Sequence, residues 1–234
     1  MNKIVLVVAA HPDDEILGCG ATMAKHVRDG DKVHVALLVE GLTSREKTRN
    51  REQYNERLLK LQHCARKANE ILGVATVRFG TFPDNRMDAL DMLDVVKAIE
   101  ELVEEFNPDI VYTHHHGDVN IDHQIVNRAV ITACRPLPNT RSKTILFFEI
   151  ASSTEWQIPS WNSKFDPNWF VNISDTLNLK SESLQAYQSE MREWPHPRSI
   201  EAIEHLAKWR GATIGVNAAE AFVLGRHICG GLHE

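Results

Sequence analysis

Two short segments of this chain are dense in side chains that bind metals or transfer protons. Residues 11–15 read His-Pro-Asp-Asp-Glu, and residues 114–123 read His-His-His-Gly-Asp-Val-Asn-Ile-Asp-His. An apolar, β-branched run at 4–8 precedes the first segment and predicts a buried strand of a parallel sheet, and a further strand is predicted at 109–113, before the second. Because ligands of open α/β sheets bind at the carboxyl ends of the strands, we expect the two segments to face one site.

The spacing within these segments predicts a catalytic metal site. Proline at position 12 pushes His11 into an extended conformation, and Asp14 follows three residues later, so both can reach one ion. His123, at the start of a later helix, could supply a third ligand. Two histidines, one carboxylate and an open coordination position are typical of catalytic Zn²⁺. Asp13 is then available as a general base that takes a proton from water.

Other interpretations use the same residues. The acids at 13–15 could only cap a helix, and the histidines at 114–116 could lie at a solvated surface. Fe(II) oxygenases also use two histidines and one carboxylate, but usually in β-sandwich folds. A non-enzymatic nucleotide- or sugar-binding module would keep the fold but have no use for Asp13. Gly18 and Gly20 hint at a dinucleotide turn, but its third glycine is missing.

The elements that must position the two segments alternate along the first 135 residues. The pattern predicts strands at 4–8, 33–39, 74–79 and 109–113, with helices at 16–28, from about 57 to 73, and at 90–106. Such alternation predicts right-handed βαβ units. Further on we expect a strand at 144–150, a loop at 151–167, helices near 177–193 and 199–211, and a short apolar piece at 221–224. No linker interrupts the chain, so the prediction is one α/β domain over 1–234, with a Rossmann-like, mostly parallel sheet flanked by helices.

Composition narrows the class of protein. The 234 residues are 43% hydrophobic and 25% charged, which is typical of a globular domain, and the net charge of −6 argues against nucleic acid or anionic membranes as partners. The four cysteines form no CxxC pair, which favours reduced thiols in a cytoplasmic protein. No apolar run approaches a membrane span, and the acids at 13–15 argue against a signal peptide. The expected partner is a small molecule.

The motifs resemble a known family. Residues 10–15, Ala-His-Pro-Asp-Asp-Glu, with the later Asp122-His123 pair, resemble the LmbE/PIG-L family of zinc-dependent N-deacetylases, and residues 82–86 and 219–222 are also similar to family segments. The resemblance covers nearly all of the chain. It implies a Rossmann-like fold, with His11, Asp14 and His123 matching the zinc ligands and Asp13 the general base.

The resemblance also implies an activity. Family members remove acetyl groups from N-acetylglucosamine units of lipids, glycans, thiol cofactors and antibiotics, and are often oligomers. We therefore expect hydrolysis of the acetamido group of an N-acetylated sugar or sugar conjugate to amine and acetate, compatible with glycan or lipopolysaccharide biosynthesis. Hydrolysis of another amide-linked sugar conjugate is the alternative within the same chemistry.

The chain departs from the family at two places. The second motif often reads His-x-x-His, and the first of those histidines is credited with stabilising the transition state, but Asn120 stands there in this chain. Either Asn120 fills that role or a histidine does; the candidates are His115, His116 and His196, of which His196 is favoured. Many relatives also carry Arg-x-x-Glu where this chain has Leu61 and Cys64.

The remaining predictions concern substrate contacts. All five tryptophans follow residue 155, and Trp156 and Trp161 could pack against sugar rings, or else be core or interface aromatics. Asp122 is predicted to orient a histidine ligand from behind. The turn at 196–198 could bring a donor to the cleft, or could be only a cap or surface turn. The predicted substrate-binding residues are Arg86, His115, His116, Trp156 and Arg198.

Overall fold

The computed structural model describes residues 2–45, 48–137, 142–158 and 164–230, with the side chain of residue 45 left out. Within these ranges seven strands form a single sheet in the order β3-β2-β1-β4-β5-β7-β6. Strands β1 to β5 pair in parallel, and β7 pairs antiparallel with both β5 and β6. The predicted α/β class with a mostly parallel sheet is confirmed. Trp161 lies outside the described residues.

The chain runs through these elements in the following order: β1 (Ile4–Ala9), α1 (Asp14–Arg28), β2 (Lys32–Val39), α2 (Asn55–Ile71), β3 (Thr76–Phe82), α3 (Met92–Phe106), β4 (Ile110–His114), α4 (Ile121–Ala133), β5 (Thr144–Phe148), β6 (Trp169–Asn172), α5 (Leu177–Ala186), α6 (Ile200–Ala212) and β7 (Ala219–His227). Short 3₁₀ turns occur at Thr43–Arg45, Met87–Ala89 and Thr154–Trp156.

Both faces of the sheet are covered, because successive side chains of β1 point into two different cores. Val5 and Val7 pack with side chains of α1, α2, α5 and α6. Leu6 and Val8 pack with side chains of α3 and α4. This double burial explains why β1 is apolar at every position rather than at every second one.

The strand order reverses at β1, and this reversal positions the site. From β1 the chain moves outward to β2 and β3, then returns to add β4 on the other side. The last residues of the two central strands are level, with Val8 opposite Thr113. The loops after β1 and β4 therefore leave the same edge of the sheet side by side, where α/β proteins bind ligands.

Helix α1 is broken near its start, and a buried ion pair fills the break. Cys19 has non-helical dihedrals, φ −149° and ψ 23°. Glu220 accepts hydrogen bonds from the N–H groups of residues 21 and 22, at 3.2 and 2.7 Å. Lys180 donates to the carbonyl of Leu17 at 2.7 Å and to Glu220 at 2.6 Å. These side chains replace the hydrogen bonds that the helix loses at the break.

Close packing accounts for the glycine at position 18. A Cβ atom there would lie 2.4 Å from the ring of Phe148 on β5. Glycine thus lets the first turn of α1 approach the sheet, and this packing explains its presence without a dinucleotide.

The C-terminal third differs most from expectation. The helix predicted near 177–193 ends at Ala186, and the piece predicted at 221–224 is the centre of a nine-residue strand, β7. Strand β6 lies directly after the predicted loop and was not anticipated. Outer strands such as these are only half-buried, so they lack the continuous apolar run that marks β1. No helix in the described part of the chain is long and apolar enough to cross a membrane.

Candidate metal centre and catalytic cavity

The loop after β1 turns sharply and folds His11 back onto Asp14. The backbone N–H of Asp14 donates to the carbonyl of His11 at 3.2 Å, and the N–H of His11 donates to Oδ2 of Asp14 at 2.8 Å. Asp13 stands between them as the N-cap of α1, with a left-handed φ of 111°. Its N–H donates to Oε2 of Glu15 at 3.0 Å. The turn therefore presents one imidazole and one carboxylate to the same point.

Three potential ligand atoms converge at that point. Nδ1 of His11 lies 3.1 Å from Oδ2 of Asp14, Nε2 of His123 lies 3.2 Å from the same oxygen, and the two nitrogens are 3.3 Å apart. Ligand atoms bonded at about 2.0–2.1 Å to a tetrahedral ion would be about 3.3 Å from one another. The donor atoms of His11, Asp14 and His123 thus fit one small divalent cation.

His123 is held from two sides. Its Nδ1 lies 3.2 Å from Oδ2 of Asp118, which also accepts a hydrogen bond from Thr154 at 2.7 Å. Its ring stacks on that of His114, with centroids 3.9 Å apart. His114 itself cannot offer Nε2 to a metal, because that atom accepts the N–H of Ala10 at 2.8 Å. These contacts direct Nε2 of His123 at the metal position.

His11 is held from the opposite side by carboxylates. Its Nε2 lies 3.1 Å from Oδ2 of Asp122 and 3.3 Å from Oδ1 of Asp84. Asp122 also accepts the backbone N–H groups of Asn85 and Met87, at 2.7 and 3.0 Å. Asp122 therefore contacts His11, and its orienting role stays a prediction.

The electric field at the site favours a cation. Burial would lower the pKa of His123, but the nearby carboxylates of Asp14 and Asp118 outweigh it and raise that pKa to about 9. Burial alone would raise the pKa of Asp14, but the facing His123 and His11 hold it well below its ordinary value. Such a field stabilises any positive charge at the position where the three ligand atoms meet.

Asp13 lies beside the ligands with its carboxylate engaged. Its side chain is buried, and Oδ2 accepts a hydrogen bond from Nη1 of Arg198 at 3.2 Å. Burial raises the pKa of Asp13 to about 8, although the Arg198 guanidinium acts in the opposite direction. A buried carboxylate of raised pKa next to a metal position is suited to accepting a proton.

These groups open onto a cavity of about 410 Å³, which is in the range of ligand sites. Of the predicted residues, seven line it: His11, Asp13, Asp14, Asn120, His123, Trp156 and Arg198. Leu61 lines it as well. The predicted contacts Arg86, His115, His116 and His196 are not among the described residues that line it, and Asp122 lies behind His11.

Several supporting residues were not identified from the sequence. Asp118 and His114 lie inside the segment at 114–123, and Asp84 lies in the segment at 82–86. Both segments were noted from the sequence, but these residues within them were not singled out. Glu190 and Ser152 also line the cavity. They come from loops far along the chain, and nothing in their local sequence marks them.

The site and fold together define an α/β protein with a two-histidine, one-carboxylate metal position beside a buried carboxylate. The model of the GlcNAc-PI de-N-acetylase (PIG-L) family matches residues 6–134, which is more than half of the chain. The chain therefore belongs to the PIG-L family, and the resemblance noted from its motifs is confirmed.

Curated relatives carry deacetylase names. The chain is 28% identical over 193 residues to a probable N-acetyl-α-D-glucosaminyl L-malate deacetylase of Bacillus cereus, covering 81% of this chain and 84% of the relative. It is 28% identical over 243 residues to the diacetylchitobiose deacetylase of Thermococcus kodakarensis, covering 97% and 86%. These alignments extend well beyond residue 134.

Solved structures share the fold. The N,N′-diacetylchitobiose deacetylase of Pyrococcus horikoshii superposes with a TM-score of 0.74 at 19% identity, covering 96% of this chain and 84% of that one. The 4-carboxy-2-hydroxymuconate hydratase GalB of Pseudomonas putida superposes with a TM-score of 0.77 at 19% identity, covering 98% of both chains. Two different reactions thus occur on this fold, so the activity must be argued from the site.

Proposed function

We propose that this chain is a Zn²⁺-dependent N-deacetylase that hydrolyses the acetamido group of an N-acetylated sugar or sugar conjugate to an amine and acetate. The observation that carries the proposal is the buried Asp13 carboxylate beside three converging ligand atoms in one cavity. Membership of the PIG-L family and the deacetylase names of its relatives support the same chemistry.

The metal would be held by His11, Asp14 and His123. Their two imidazoles and one carboxylate suit Zn²⁺, and the cavity side of the cluster is left open, as in catalytic rather than structural sites. When bound, such an ion supplies Lewis-acid chemistry, lowering the pKa of water and polarising a carbonyl. Asp118 and Asp122 would keep the imidazoles in the orientation that binding requires.

Asp13 would act as general base and then as general acid. Its carboxylate accepts a proton from the attacking water as the water oxygen bonds to the acetyl carbon. The same group then returns that proton to the sugar nitrogen as the carbon–nitrogen bond breaks, so that a neutral amine leaves. A carboxyl group whose pKa burial raises to about 8 is matched to both transfers near neutral pH.

The far side of the cavity would receive the sugar. Trp156 is 55% exposed at the rim, and its indole offers an apolar face to a sugar ring. Asn85 and Ser44 add polar groups on the other wall. The relatives from Bacillus and Thermococcus are named for N-acetylated glucosamine derivatives, and we infer a substrate of the same chemical class here.

An acetate-release screen over N-acetylated mono- and disaccharides tests the proposal. The protein is stripped of metal and reloaded with Zn²⁺ or with Fe²⁺, and Asp13→Asn is run in parallel as the inactive control. We expect acetate and free amine in equal amounts, dependent on Zn²⁺ and lost in the variant. Absence of release from every N-acetylated sugar, or release that continues after chelation, would reject it.

A further inference from the structure

The proposed reaction, on which this inference rests, places a negative charge on the acetyl oxygen. When water adds to the acetyl carbon, the carbonyl π electrons move to that oxygen and leave an oxyanion. A positioned hydrogen-bond donor for such an oxyanion is worth about 10²–10³ in kcat. Such a donor should line the cavity and keep an N–H or O–H group that no described contact within the protein uses.

Asn120 is committed to holding the start of α4. Its side-chain oxygen accepts the N–H of Asp122 at 2.9 Å, which makes it the helix N-cap. Its side-chain nitrogen donates to Oδ1 of Asn85 at 3.0 Å. The amide keeps a second N–H that could point at an oxyanion, but this N–H is a neutral donor and is weaker than a charged one.

Of the histidines that the structure describes, those outside the candidate metal cluster do not line the cavity. His115 is buried, and its ring packs against Phe165 and His116. His196 uses Nδ1 to accept the backbone N–H of Arg198 at 3.0 Å, and its ring meets the edge of Trp156. These rings therefore pack against other side chains and do not face the cavity in which an acetyl group would bind.

We propose that Arg198 donates to the oxyanion, which is the role that the sequence left open between Asn120 and a histidine. Of the described residues that line the cavity, it is the only arginine or lysine. Its guanidinium is already beside the base, with Nη1 donating to Oδ2 of Asp13 at 3.2 Å. A group that stands within one hydrogen bond of the base is also close to the carbon that the base-activated water attacks.

The guanidinium of Arg198 is held in place by two hydrogen bonds and keeps further N–H groups. Nε donates to Oγ of Ser152 at 3.0 Å and Nη1 to Asp13, so contacts within the described part of the chain use two of its five N–H groups. Arginine keeps its charge at any working pH, and its rigid fork can bind Asp13 and a second oxygen at once. Lysine, a flexible point charge, cannot reproduce both contacts from the same backbone position.

The resulting step is balanced without further reagents. The water oxygen bonds to the acetyl carbon, the water proton passes to Asp13, and the carbonyl electron pair forms the oxyanion that accepts an N–H from Arg198. On collapse that electron pair reforms the carbonyl, the carbon–nitrogen bond breaks, and Asp13 gives its proton to the amine. The hydrogen bond from Arg198 to the acetyl oxygen strengthens as that oxygen becomes negative, but Arg198 neither gains nor loses a proton.

Arg198→Met and Arg198→Lys test the assignment, with Arg192→Met as the matched control. Arg192 is an exposed arginine of the same loop whose guanidinium donates to the backbone carbonyls of residues 189 and 191. We expect kcat to fall about 10²–10³-fold in Arg198→Met with KM within threefold. Arg198→Lys should recover less than a tenth of the loss, and Arg192→Met should match wild type. Metal content and circular dichroism identify any variant that has simply misfolded.

A methylphosphonamide analogue of the N-acetyl sugar separates this role from indirect ones, because its anionic oxygens mimic the tetrahedral state. Its inhibition constant should rise in Arg198→Met by the same factor by which kcat/KM falls, while affinity for the amine product stays unchanged. An unchanged inhibition constant would overturn the proposal. So would a variant that keeps the wild-type plateau rate and moves only the acid limb of its pH profile, since Arg198 would then act only through Asp13. Wild-type acetate release is measured in the same series, so failure of the proposed function itself is seen separately.

Discussion

Asp13 carries a backbone conformation that costs a non-glycine residue about 1–3 kcal/mol. The structure holds it there with its N–H on Glu15 and its carbonyl accepting the N–H groups of Ile16 and Leu17, at 3.1 and 2.9 Å. The strained residue is the one whose carboxylate lines the cavity with the candidate ligands and accepts a hydrogen bond from Arg198. A strained turn thus aims the base at a position that a regular helix start would not reach.

The Asp13→Asn variant distinguishes a general base from a metal ligand. Asparagine keeps the size and polarity of aspartate but cannot accept a proton. We expect metal content near that of wild type and turnover reduced by about 10²–10⁴-fold. Elemental analysis and acetate release on the same preparation check both parts; loss of the metal would instead make Asp13 a ligand.

Removing a ligand should have the opposite signature. His123→Ala and Asp14→Ala each leave two of three protein ligands, and we expect the purified variants to lose the metal together with activity. His63→Ala, an exposed histidine on α2, is the control and should retain a full complement. Full occupancy in purified His123→Ala would show that this histidine does not bind the ion.

At the scale of elements, Glu15 joins three helices beneath the site. Its buried carboxylate, at the start of α1, accepts hydrogen bonds from Asn69 of α2 at 2.8 Å and from the hydroxyl of Tyr187 after α5 at 2.6 Å. Burial raises the pKa of Glu15 to about 7, against the lowering effect of these donors. The network fixes how α1 meets its neighbours and therefore where Asp13 lies.

The raised pKa of Glu15 makes stability depend on pH. Between its unfolded value of 4.5 and about 7, the folded chain binds more protons than the unfolded chain, so the free energy of unfolding must fall as pH rises. The shift corresponds to about 3 kcal/mol across this window. Urea titrations of metal-saturated wild type and Glu15→Gln at several pH values check this. The difference between the two should change by that amount, and a difference independent of pH would contradict it.

The ion pair at the break in α1 should be costly to disrupt. Lys180→Met leaves Glu220 buried without its cation, and a broken buried pair typically costs about 3–5 kcal/mol. The double variant Lys180→Met/Glu220→Gln removes the isolated charge and should regain part of that loss. Urea unfolding measures both; equal stabilities of the single variant and wild type would show that the pair contributes nothing.

The sequence predicted which residues meet at the candidate metal centre better than it predicted the groups around them. His11 and Asp14 follow the apolar strand β1 and His123 follows β4, and the reversal of strand order at β1 brings these two loops together. Glu190 depends instead on the path of the loop between α5 and α6, which also carries Arg198, a residue predicted as a substrate contact. That path is set by packing in the C-terminal third, where β6, β7 and the end of α5 were also predicted poorly.

For the whole molecule, the metal should contribute to stability as well as to catalysis. Four carboxylates, Asp14, Asp84, Asp118 and Asp122, are buried around His11 and His123, and a bound cation would offset their mutual repulsion. At ion concentrations of about 100–1,000 Kd, linkage adds about 3–4 kcal/mol, or about 5–15 °C in Tm for a chain of this length.

Calorimetry with and without a chelator checks this contribution. Wild type should lose the stabilisation on chelation and regain it when Zn²⁺ is added. Asp14→Ala should melt at the same temperature in both conditions. A wild-type Tm that is insensitive to the chelator would mean that the ion does not bind this cluster tightly.

The site draws on two separate stretches of chain. The candidate metal ligands and the carboxylates that orient them all fall within residues 11–123, whereas Trp156, Glu190 and Arg198 enter the cavity from the last third. Mutations in that last third can therefore remodel the substrate-facing wall while the ion-binding half is inherited unchanged. A new substrate, or a new reaction, could therefore evolve by substitutions in that part of the gene, and the candidate metal ligands would be kept throughout.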